Sequence, residues 1–157
     1  MKTNTPNIET TVPAGTYFLG DPCYAVQDEK WMPWLEDCGY LESPDLLDGE
    51  ALKGQRVVAV STAYGDGTYY DGRGNRYLVD AGIIGLTPLN GFKPRYDVNR
   101  LKELGAIIEL HQDAVFNSTD DGVIEVRMSQ KPLESWTIET DDFDEYDEYD
   151  EYDEYDY

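Results

Sequence analysis

Thr68-Tyr69-Tyr70-Asp71-Gly72-Arg73-Gly74-Asn75-Arg76-Tyr77-Leu78-Val79 decides which class of fold the chain can adopt. β-favouring residues flank the five turn formers 71 to 75, where two glycines can supply the positive φ that a tight antiparallel connection needs. The stretch predicts a β-hairpin. Upstream, Gln55 to Thr62 is β-branched and short enough to be a buried strand. Downstream, Ile83 to Thr87 is another, closed by Pro88 and the Asn90-Gly91 turn.

The same reading extends to both ends. Thr16 to Leu19 is a strand that Gly20-Asp21-Pro22 stops. Between Asp28 and Tyr40, Trp31, Trp34, Leu35 and Cys38 recur at helical spacing, with Asp28 as the expected N-cap, Gly39 near the end, and Pro33 confined to the first turn or splitting the helix. Val98 to Leu104 is a second short helix. Ala106 to His111, Ala114 to Asn117, Val123 to Met128 and Ser135 to Glu139 then read as strands between turns. About eight strands and one or two short helices predict an α+β, β-rich domain on a strongly bent antiparallel sheet, either a small barrel or a sandwich. Its expected limits are residues 10 to 140, with a flexible 1 to 9 and a disordered acidic tail from 141 to 157.

Charge narrows the possible partners. The chain of 157 residues carries 33 acids against 12 bases, a net −21. Eleven acids fall in 141 to 157, so the body keeps 22 acids against 12 bases, a net −10. That sign repels phosphate and anionic lipid and favours basic protein surfaces, so neither nucleic acid nor membrane is an expected direct partner. No apolar run approaches the roughly 20 residues of a membrane span, the first residues do not resemble a signal peptide, and a cytoplasmic setting is expected. Cys23 and Cys38 lack the companions of a zinc site and are expected to be buried free thiols.

Three aspartates stand beside glycine or proline: Asp21 in Gly-Asp-Pro, Asp66 in Tyr-Gly-Asp-Gly and Asp80 in Val-Asp-Ala-Gly. If they converged, with Tyr64 and Tyr69 as aromatic walls, they would form a ligand pocket able to hold a hard cation or an acid/base pair. Aspartate is also a common turn former, so a purely structural use is the favoured reading of these positions. Among Trp31, Trp34, Tyr40, Tyr69, Tyr70 and Tyr77, the tryptophans are assigned to the core, and of the adjacent tyrosines 69 and 70 one should face out. Tyr64 to Thr68 lacks the lysine and helix of a phosphate loop. His111, the single histidine, has no nucleophile elbow nearby and is expected to be packed and hydrogen-bonded. No catalytic residue, cofactor or metal is expected.

Gly15 to Tyr24, Ala63 to Asp71 and Val79 to Leu86, carrying Gly-Asp-Pro-Cys-Tyr, Tyr-Gly-Asp-Gly-Thr-Tyr-Tyr-Asp and Val-Asp-Ala-Gly, resemble small proteins of bacteriophages and bacteria that have no assigned activity. The resemblance spans roughly residues 12 to 90. It implies a phage or prophage accessory protein, in a setting where small acidic proteins often block host defence enzymes.

From Asp144 the unit Asp-Glu-Tyr repeats four times and ends in Asp156-Tyr157. In a polyproline-II form, with about three residues per turn, Tyr146, Tyr149, Tyr152 and Tyr155 share one edge. Two charges then fall per ~9 Å, against one per ~3.4 Å along one DNA strand, a sparse polyanion with a stackable face. Two functions are expected from these features. The first is a non-catalytic binding protein whose acidic surface and tail occupy a basic, nucleic-acid-binding groove of a host protein, contacting it through Asp144, Glu145, Tyr146, Asp147, Glu148, Tyr149, Asp150, Glu151 and Tyr152. The second is a small-molecule or metal-binding domain using Asp21, Asp66 and Asp80. A solubilising brush is the plain alternative for the tail.

Overall fold

The computed structural model describes residues 8–39, 46–119, 122–128 and 131–140. Along them run β1 (Ile8–Val12), β2 (Gly15–Gly20), a 3-10 turn (Pro22–Tyr24), α1 (Asp28–Asp37), β3 (Leu46–Leu52), β4 (Gln55–Ser61), β5 (Gly67–Tyr70) and β6 (Arg76–Val79). There follow β7 (Ile83–Pro88), α2 (Val98–Leu104), β8 (Ala106–Leu110), β9 (Ala114–Ser118), β10 (Val123–Met128) and β11 (Lys131–Glu139). All pairings are antiparallel. The fold is α+β and β-rich.

Two sheets share one core, which makes the body a sandwich and not a closed barrel. One sheet has the order β1-β9-β10-β11 and the other β3-β4-β7-β2-β8. Period-2 alternation sorts their side chains. Val58, Val60, Leu86, Leu19 and Ile108 of the five-stranded sheet meet Phe116, Ile124, Val126, Met128 and Ile138 of the other. The opposite face of β4 gives Val57 and Ala59 to a second cluster with Trp34 of α1. Because β4 is buried on both faces, its run is continuously apolar instead of alternating. Phe18, on the outer face of β2, packs with Leu101 and Leu104 of α2.

The expected strands, both helices and the hairpin are present, and Tyr69 is buried while Tyr70 is exposed. Several details differ. β1, which was not among the expected strands, begins at Ile8, within the segment 1 to 9 that was expected to be flexible. Gln27 and not Asp28 occupies the N-cap position of α1, without a side-chain capping bond, and the helix runs through Pro33 unbroken. Interior proline costs a helix about 3 kcal/mol, and here the burial of Trp34, whose indole N–H donates to the Val57 carbonyl at 3.2 Å, opposes that cost. β3 was not legible because Asp48-Gly49-Glu50 looks like a turn. Gly49 serves a close approach: a Cβ there would lie 2.9 Å from the Cys38 amide nitrogen, and Asp37 accepts from the Glu50 amide at 2.8 Å. The acidic repeat and Tyr40 lie outside the described residues.

The two long seams of the sandwich are closed differently. On the β1/β3 side Arg56 binds Asp48 with two hydrogen bonds, at 2.8 and 2.9 Å, and donates to the Thr11 carbonyl and the Thr10 hydroxyl. On the other side the edges β8 and β11 face each other, and the β5–β6 hairpin lies across part of the gap, bridging from Asp71 to Ile138.

Candidate functional site

The aspartates singled out in the sequence do not form a cation site. Asp21 is fully buried, and its carboxylate is spent on backbone: Oδ1 accepts from the Cys23 amide at 3.0 Å, Oδ2 from the Asp80 and Ala81 amides at 2.8 and 2.6 Å. It clasps the end of β2 to the β6–β7 loop. Burial raises its pKa above the ordinary carboxylate value, and the three backbone hydrogen bonds only partly offset that. Asp66 is exposed and lies near Gly82, and Asp80 is exposed at the start of the clasped loop. Among the described residues no group of three or more His, Cys, Asp or Glu side chains is placed to hold a metal ion. Tyr69 is a core residue whose hydroxyl donates to the Gly65 carbonyl at 2.9 Å, and Tyr64 is at the surface. Asp80 lines a cavity of about 280 Å³ with Cys23, Trp31, Arg95 and Asp28, without the other four predicted pocket residues.

Cys23 and Cys38 are free but only half-buried, not fully buried as expected. Burial nonetheless raises both thiol pKa values, that of Cys38 to about 12.

A larger cavity, about 620 Å³, occupies the open seam. Five consecutive residues, Gly105 to Glu109, form one wall, so the backbone edge of β8 itself faces the space. β8 has no strand neighbour on that side among the described residues. Arg73, Lys102 and His111 also line it, and Glu109 is the single acid that does. In a body of net −10 this is a local reversal of sign. His111 is exposed at the rim and not packed, because β8 ends at Leu110 and the chain turns there.

The hairpin turn places Arg73. Asp71 Oδ1 accepts from the backbone amides of Arg73 and Asn75 at 2.8 and 3.0 Å. Its Oδ2 accepts from the Asn75 side-chain amide at 2.9 Å and from the Tyr77 hydroxyl at 2.6 Å. Partial burial alone would raise the Asp71 pKa, but these bonds outweigh it and hold the carboxyl below its ordinary value. Burial, followed by the neighbouring Asp71, pushes the Tyr77 hydroxyl up. Gly74, at φ 90°, lets the turn close. The result is a fixed guanidinium: Arg73 Nε donates to the Ser135 carbonyl at 2.8 Å, and Cζ sits 4.4 Å from the centre of the Trp136 ring. Its terminal nitrogens have no hydrogen-bond partner among the described residues.

Arg73, Lys102 and Trp136 were missed because each looks ordinary alone. The usable signal was scarcity, since an arginine within a turn stands out in a chain with 12 bases. No family model, curated protein or solved structure matches the chain. No described helix is long and apolar enough to cross a membrane.

Proposed function

We propose that the protein is a non-catalytic acidic binding protein, its sandwich a rigid platform and its acid surplus the means of engaging a basic protein surface of the kind that holds nucleic acid. The observation that supports this reading is the net charge of −21, concentrated in residues 141 to 157. Asp21, one of the three aspartates of the alternative ligand-pocket reading, already accepts three backbone hydrogen bonds, which favours the binding-protein reading over that alternative. The resemblance to phage proteins adds a nucleic-acid-processing host enzyme, such as a defence nuclease, as the expected partner class.

Competition tests it. The intact chain should displace a single-stranded oligonucleotide from a protein with a basic groove, with an affinity that falls as salt rises. Replacing the tail acids by their amides should weaken displacement about tenfold or more, since each lost carboxylate removes part of the electrostatic attraction. Displacement that ignores both salt and tail charge would refute this reading.

A further inference from the structure

The seam cleft combines three features that fit one class of ligand. A free strand edge offers backbone donors and acceptors to an added strand. Arg73, fixed on Trp136, presents its other face for stacking and its terminal nitrogens for carboxylates. Lys102, before the Gly105 end of β8, adds positive charge at one limit, and His111, beyond the Glu109 end, adds an exposed imidazole at the other. An extended acidic peptide with an aromatic residue matches all three.

The chain carries such a peptide. In a strand, side chains alternate, so one face of the Asp-Glu-Tyr repeat shows Asp147, Tyr149 and Glu151, or after a shift of three residues Asp150, Tyr152 and Glu154. Each face therefore sets a tyrosine between two carboxylates about 13 Å apart, the same span as a five-residue wall at ~3.3 Å per residue. A slip by one repeat restores the same pattern. Reach is sufficient as well. Trp136 lies four residues before Thr140, so the chain must double back about 13 Å, and residues 141 to 146 extend to about 20 Å at ~3.3 Å each.

We propose that the seam cleft binds the chain's own acidic repeat, within residues 147 to 157, as an extended strand added in cis to the free edge of β8. Arg73 and Lys102 pair with its carboxylates and a tyrosine stacks on Arg73. The body then holds its own polyanion until something competes for it. Occupation of the cleft requires no basic partner, so its success or failure is separate from that of the binding function above.

The test uses intact chains in the absence of any partner. Amide spectra and hydrogen exchange are compared for the native sequence and a version with the acids of 144 to 156 replaced by Asn and Gln. Differences are expected at residues 105 to 109, at Arg73 and at the Trp136 indole, with alternate β8 amides exchanging about tenfold more slowly in the native chain. Arg73→Glu with Lys102→Glu should abolish those differences while the remaining spectrum stays dispersed. Lys102→Gln alone should reduce them. Equal β8 exchange in both chains overturns the proposal, as do differences on another face. Differences that vanish on dilution assign the occupant to a second copy and overturn the cis arrangement. If inorganic phosphate reproduces the shifts and the tail does not contribute, the cleft is a small-anion site and the proposal is also overturned.

Discussion

Asp71→Ala removes the acceptor around which the β5–β6 turn is organised. Four donors lose their partner: the Arg73 and Asn75 amides, the Asn75 side chain and the Tyr77 hydroxyl. Water replaces the bond to the exposed Arg73 amide at little cost. The Tyr77 ring is fully buried, and its hydroxyl and the two Asn75 donors are only partly reached by solvent. At about 1.5 kcal/mol or more for each bond to a charged acceptor, discounted for partial exposure and non-additivity, the loss is about 3 kcal/mol, or roughly 10 °C in Tm for a domain of this size. The pH dependence identifies the cause. Asp71's folded pKa lies below its unfolded value, so its contribution is complete above the unfolded pKa of about 3.9 and is lost as pH falls through the folded value. Urea denaturation of both chains at pH 6 and pH 2.5 should give a stability gap that is full at the first and smaller at the second. A gap under about 1 kcal/mol at pH 6, or one that does not change with pH, would show that the carboxylate does not hold the turn.

Asp21→Ala should cost about 3 kcal/mol or more by stranding three backbone donors, with the opposite pH signature. The folded pKa of Asp21 is raised, so its contribution is full below about 3.9 and declines as pH rises through the folded value; the gap to Asp21→Ala should widen on acidification, and one that narrows contradicts the raised pKa. Gly85→Ala should cost about 3 kcal/mol or prevent folding, because the new methyl group would lie 2.6 Å from Ala59 Cβ and closer still to the Val58 carbonyl oxygen; a native-like melting curve counts against the described packing of β4 on β7. Cys23 and Cys38 should react with a thiol reagent at pH 8 far more slowly in the native chain than in urea, since burial raises both thiol pKa values; equal rates would remove that assignment.

Local signals made most of the fold legible. The hairpin at 68 to 79 and the strands at 55 to 62 and 83 to 87 were readable because turn formers and β-branched runs act within a few residues. β3 was hidden by Gly49, whose purpose is a contact with the end of α1 that no window on the sequence contains. Pro33 misled for a related reason: burial of Trp34, a tertiary effect, offsets a local penalty. The candidate site was largely illegible. Asp21 was recognisable as special, but a carboxylate on three amides and one at a ligand site have the same neighbours in sequence, and only burial distinguishes them. The seam cleft joins residue 73 to 102, 111 and 136, a juxtaposition set by which strands end up as edges.

Arg56 and Arg73 stand on opposite seams of one sandwich and meet different surroundings. Arg56 has a carboxylate in two-point contact and two further acceptors on β1, so its donors are used in holding sheet to sheet. Arg73 has one carbonyl and one aromatic face, and no carboxylate among the described residues, within a chain that has 33 acids. In so acidic a protein, an exposed guanidinium without a carboxylate partner is not explained by any shortage of acids. The paired matrix of variants distinguishes the two roles. Arg56→Ala should destabilise by about 1–2 kcal/mol, the range for a half-exposed bidentate pair, and leave β8 exchange unchanged relative to global stability. Arg73→Ala should cost less than about 1 kcal/mol because one exposed bond and a surface cation–π contact are lost, yet it should accelerate β8 exchange selectively. If both variants instead lower global stability alike and β8 exchange merely follows it, Arg73 is a second structural latch, and the open seam is closed by the hairpin alone.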